Sequence, residues 1–117
     1  MDRSDFDTVV QRAVERLPDW VHEALDNVEL LVLDVPDADM DPGGEGLLGL
    51  YVGIPLPERG GEYLAELPDV VYLFREAHLA LGLGRRELEF EIERTLIHEL
   101  AHYFGFDDAE IEELGYA

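Results

Sequence analysis

The chain of 117 residues contains no cysteine. Disulfide scaffolds, Cys-ligated zinc ribbons, iron–sulfur sites and thiol catalysis are excluded. Lysine is missing as well: the eight basic residues are all arginine, against 28 Asp and Glu, and the net charge is −20. Such a surface repels a phosphate backbone and an anionic bilayer alike. There is no long apolar run, and the start, from Met1 to Asp7, has neither a basic segment nor an apolar core typical of export signals. A cytoplasmic protein, with no nucleic-acid or membrane partner, is the expectation. Disorder is not implied by the charge, because 47% of the residues are hydrophobic, enough for one core. Chain length fits one domain over residues 1–117.

The apolar residues that are present divide into helical and strand-like patterns. Phe6, Val9, Val10, Ala13, Val14 and Leu17 recur at i, i+3, i+4 spacing and predict a helix ended by Pro18. Ser4 and Asp7 have the spacing of a capping box at its start. A short second helix follows from Asp19 to Leu25, packing Trp20, Val21, Ala24 and Leu25. Glu29 to Val35 reads as a buried strand, Leu47 to Ile54 as a second, and Asp69 to Arg75 as a third. Within the second, Gly49 and Gly53 suggest a bulge or the close approach of another segment. Pro55 to Gly61 is a loop, and His78 to Gly84 is irregular or a short helix. Arg85 to Phe104 is helical, with Gly105 as its stop. Asp107 or Asp108 caps a last short helix carrying Ile111 and Leu114. The fold class is α+β.

Two patterns imitate ligand sites. Gly44 to Gly49 matches GxGxxG, but a strand follows it where phosphate binding needs a helix, and Glu45 would repel the phosphate. Asp37, Asp39 and Asp41 alternate as in a calcium loop, yet Pro42 and Leu48 replace its glycine and its last carboxylate. His22-Glu23 lacks a second histidine four residues on. The first reads as a glycine-rich turn, the second as a solvated acidic turn, and His22-Glu23 as surface.

The chemistry lies in His98-Glu99-Leu100-Ala101-His102-Tyr103-Phe104-Gly105-Phe106-Asp107-Asp108, which contains HExxH and extends to HExxHxxGxxD. At about 100° per residue, His98 and His102 lie roughly 40° apart and one turn above each other, and two imidazoles so placed can bind one Zn²⁺. Leu96, Ile97, Leu100, Ala101 and Phe104 form the apolar face, and the two histidines point away from its centre. Glu99 projects to the side, within reach of water activated by the metal. Gly105 lets the chain turn back, so that Asp108, or failing it Asp107, can return as third ligand and leave one position open for water.

At these residues the chain resembles the short zincin-like metallopeptidases of prokaryotes. LLGLYVGIPL, LPDVVYLFRE and ERTLIHELAHYFGFDD are the stretches that carry the likeness. It implies a minimal zincin fold: an N-terminal backing helix, a small mixed sheet and a C-terminal active-site helix carrying HExxH. It also implies an edge strand, here Leu47 to Ile54, that pairs with extended peptide. The Met-turn of metzincins has no counterpart among the nine residues after Asp108.

The expected function is zinc-dependent hydrolysis of peptide bonds in neutral or basic segments. Zinc-activated water attacks, Glu99 is the general base, and His98, His102 and Asp108 hold one Zn²⁺. Tyr103, His78 and Tyr116 are candidate oxyanion donors, although Tyr103 falls on the buried side, and Glu91 is a candidate acceptor for a ligand histidine. Two other readings rank lower. One is a zinc-binding module that contacts peptide or protein without turnover. The other is a metal-dependent RNA hydrolase, whose helix reads HxxxHxxGxxH; Glu99, Asp108 and the net charge all depart from it.

Overall fold

In the computed structural model, residues 2–54 and 69–115 are described. Helix α1 spans Arg3–Glu15 and α2 spans Asp19–Leu25, the latter where the pattern places it. The capping box of α1 is two residues earlier than the Ser4–Asp7 spacing suggests. Asp2 accepts from the Asp5 amide at 2.8 Å, and Asp5 answers toward the Asp2 amide. Asp7 instead makes a longer-range contact, pairing with Arg75 at 2.8 Å, and Arg75 also reaches Asp34. Trp20, expected to be packed, is 43% exposed and meets Phe104 edge-on.

Strands β1 (Val28–Leu33), β2 (Gly49–Val52) and β3 (Asp69–Phe74) form a mixed sheet in the order β1-β3-β2. β1 runs parallel to β3, and β2 runs antiparallel to it. The buried strand is therefore β3, whose Val71, Leu73 and Phe74 are inaccessible. β1 corrects the expectation of a buried strand at 29–35. It starts at Val28, ends at Leu33 and, among the described residues, lies at an edge of the sheet, and of its six residues only Val28 is buried. A continuous apolar run signals two covered faces; at a sheet edge the covering is incomplete. The loop expected at Pro55 to Gly61 lies outside the described residues.

Helix α3 (Arg75–Leu79) leaves the end of β3, α4 spans Arg85–Tyr103, and α5 spans Asp108–Glu113. α4 is the hub of the packing, touching α1, α2, α3, β2 and β3. Its Leu88, Ile92, Leu96 and Leu100 are buried in one cluster with Phe6, Val9, Val10 and Ala13 of α1 and with Val71 and Leu73 of β3. Each such side chain contributes about 1.5–3 kcal/mol, so the apolar face of α4 fixes where its other faces point. No helix among the described residues is long and apolar enough to cross a membrane.

The two decoys are turn chemistry. Asp41 accepts from the amides of Glu45 at 2.9 Å and Gly46 at 3.0 Å. These bonds, that of Glu45 first, hold its carboxyl below the usual range.

Candidate metal centre

His98, Glu99 and His102 occupy the last two turns of α4, on the side left over once Leu96 and Leu100 are buried in the core. The two imidazoles lie 5.0 Å apart between centroids, at 77° to each other. His98, Glu99 and His102 each offer one ligand atom within 4.8 Å of the others, a group able to hold a metal ion.

Just beyond Tyr103 the chain reverses. Gly105 has φ +94°, a conformation costly for any residue with a Cβ. The turn aims the Phe106 carbonyl at His102 Nδ1, 3.1 Å away. A carbonyl can only accept, so Nδ1 carries the proton and Nε2 presents its lone pair. Asp107 then caps α5: its side chain accepts from the Glu110 amide at 2.8 Å, and Glu110 answers toward the Asp107 amide. Asp108 is not used in this way. Its Oδ1 lies 3.2 Å from His102 Nε2 and 3.7 Å from His98 Nε2.

These spacings suit one small cation. Ligands about 2.1 Å from zinc at the tetrahedral angle are about 3.4 Å apart, between the two separations measured from Asp108. Two imidazoles and a carboxylate are also zinc's ordinary donor set in a chain without thiols.

Glu99 is differently placed, being only 8% exposed. Its Oε1 accepts the Tyr51 backbone N–H at 2.9 Å, across from α4 to β2, and its Oε2 lies 3.7 Å from His98 Nε2. Burial raises its pKa, opposed by the two histidines and by the Tyr51 amide. β2 comes this close because residue 49 has no side chain. A Cβ there would stand 2.7 Å from Thr95 Cγ2, 3.0 Å from the Tyr72 carbonyl and 3.2 Å from Glu99 Cγ. The close approach suspected at Gly49 is thus an approach to α4. Beside it opens a cleft of about 260 Å³ lined by Leu47, Leu48, Gly49, Glu91, Arg94, Thr95, His98 and Glu99.

Residues 25–116 match the zincin-like metallopeptidase family. The chain belongs to that family. Comparison with curated proteins finds no match. The mixed sheet and flanking helices of this zincin-like chain give the α+β class expected, and its family implies zinc binding and metallopeptidase chemistry.

Two of the three candidate oxyanion donors are engaged elsewhere. His78 is inaccessible, with Nδ1 2.8 Å from the Phe74 carbonyl and Nε2 3.0 Å from Thr95 Oγ1. Tyr103 is 4% exposed and packs against Tyr51 and Phe104. Tyr116 lies outside the described residues. Glu91 lines the cleft, but the acceptor found for His102 is the Phe106 carbonyl. Sequence reasoning missed that carbonyl and the Tyr51 amide. Both are backbone groups, which residue identity does not advertise. The only signals for them were Gly105, next to Phe106, and Gly49, two residues before Tyr51.

Proposed function

We propose that this zincin-like chain is one peptidase domain over residues 1–117, with one Zn²⁺ held by His98, His102 and Asp108 and with Glu99 as general base. The observation that carries the reading is the division of labour between neighbours. Asp107 is committed to capping α5, while the Asp108 carboxylate converges with both histidine Nε2 atoms.

When bound, zinc supplies Lewis acidity, lowering the pKa of water to about 7 and polarising a carbonyl. The protein groups do the rest. The Phe106 carbonyl fixes the tautomer of His102. The Tyr51 amide holds one oxygen of Glu99, and the other faces His98, where it takes a proton from water and passes it to the leaving amine. Burial favours the protonated carboxyl that this relay requires between its two transfers. Among the described residues no strand lies beyond β2, which supports binding of an extended peptide along it. The net charge of −20 favours neutral or basic segments.

Metal analysis of purified protein tests the reading. One zinc per chain is expected in the parent, lost in His102→Ala and Asp108→Ala. A parent that takes up no zinc under zinc-replete conditions overturns it. Glu99→Gln separates a peptidase from a module that only binds: it spares zinc in both, and it abolishes peptide cleavage in the first.

A further inference from the structure

The register of β2 on β3 shows which of its amides face outward. Leu48 stands opposite Phe74, whose amide donates to the Leu48 carbonyl at 2.9 Å. In an antiparallel pair, hydrogen-bonded and non-hydrogen-bonded positions alternate. Leu50 and Val52 therefore turn their backbone groups toward β3, and Gly49 and Tyr51 turn theirs to the outer edge. The Tyr51 N–H is a donor that an extended peptide pairing along β2 must use, and Glu99 Oε1 already holds it at 2.9 Å.

We propose that Glu99 covers the β2 edge in the resting protein, so that a peptide carbonyl must take the Tyr51 amide from the carboxylate before the strand can pair. This rests on the peptide-binding mode proposed above and adds a second role to the same residue. Glu99 is flanked on two sides, by the β2 backbone and by His98. Its stem runs so close to Gly49 that a Cβ there would stand 3.2 Å from Glu99 Cγ, and His98 Nε2 lies 3.7 Å from the other oxygen. When the amide is taken, the freed oxygen can turn into the cleft that Glu99 borders together with Leu47, Leu48 and His98. Occupation of the edge thus turns the carboxylate toward the bond to be cut. A peptide that enters as a strand releases the base; a ligand held at the histidines alone does not. Gly49 is a positioning residue in this device, since any side chain there would push β2 away from Glu99.

The experiment compares metal-free parent, Glu99→Gln and Glu99→Ala, none of which should cleave. Each is titrated with the capped peptide Arg-Ala-Leu-Ala-Leu-Arg while the Tyr51 amide resonance is followed. Gln keeps an acceptor for the amide and Ala removes it, whereas both remove the charge. The peptide should bind Glu99→Ala about fivefold more tightly than Glu99→Gln, as expected for one competing hydrogen bond. Equal affinities overturn the proposal. The parent supplies a measurement that does not depend on how the variants fold: the Tyr51 amide and the Glu99 carboxyl carbon should shift together at one peptide concentration. A Glu99 signal that stays fixed while the peptide binds overturns it equally. Absence of binding to all three proteins overturns both the competition and the edge-strand mode of peptide binding. Zinc stoichiometry on the same parent protein reports separately on the metal site.

Discussion

The two halves of the candidate centre are built differently. His98, Glu99 and His102 stand on a 19-residue helix whose opposite face holds fully buried Ile92, Leu96 and Leu100. Asp108 stands on a six-residue helix, its side chain 84% exposed, with Ile111 as the buried anchor. Packing aims the first half, and a cap with a glycine turn aims the second. Loss of a core contact would move three groups together. Loss of the cap should disturb the carboxylate alone. The histidine pair is thus positioned by the packing of the core behind it, and the third donor completes it from a locally determined turn.

The largest effect expected is on the α4 half. Glu99→Gln should lower peptide cleavage by about 10²–10⁴-fold, the usual worth of a general base, with zinc content unchanged, as a steady-state assay beside metal analysis will show. The α5 half separates two adjacent carboxylates. Asp108→Ala should weaken zinc binding by more than about a hundredfold, beyond what loss of an outer partner costs, and leave thermal stability of the metal-free protein unchanged. Asp107→Ala should do the reverse, costing about 0.5–2 kcal/mol through the lost cap and weakening zinc much less. Equal effects of the two on zinc titration would break the distinction between donor and cap.

What was legible beforehand follows the same division. Grouping His98, Glu99 and His102 needs only helical geometry, which is local, and the stretch from Arg85 to Phe104 reads as a helix stopped by Gly105. α2 was legible in its bounds, Asp19 to Leu25, but not in its packing, since Trp20 is exposed. The motif spacing favoured Asp108 over Asp107 as the third donor, but either suits an N-cap; which of them caps depends on which amide lies in reach. The edge position of β1 was hidden, because an apolar run does not record how many neighbours a strand has. Most distant from the sequence is the contact of the Tyr51 amide with Glu99, 48 residues apart and with a backbone donor. Gly49 hinted that something approached there, without saying what.

The wall between β2 and α4 offers the next test. Gly49→Ala places a Cβ 2.7 Å from Thr95 Cγ2 and 3.0 Å from the Tyr72 carbonyl. Overpacking of this kind costs about 1–3 kcal/mol, read as a lower denaturation midpoint. Adding Thr95→Ser removes the nearest methyl group yet keeps the hydroxyl near His78, so the double variant should recover part of the loss. A double variant as unstable as Gly49→Ala would place the strain at the Tyr72 carbonyl and would mean that β3, not α4, limits the space at residue 49.

The smallest effect concerns the back of α4, where His78 ties Thr95 to the end of β3. Burial pushes the His78 pKa below its ordinary 6.5. The unfolded chain therefore takes up a proton at this residue before the folded protein does. Stability from the neutral ring is fully present above pH 6.5 and is lost as the pH falls from there toward the depressed folded value, at up to about 1.4 kcal/mol per pH unit. His78→Gln has no such proton to take up. The slope of unfolding free energy against pH below 6.5 should be shallower in the variant, whatever its absolute stability, when denaturant midpoints of metal-free proteins are compared. Parallel slopes would mean that His78 is no more sheltered than an exposed histidine, and that the firm seat of α4 ends short of Thr95.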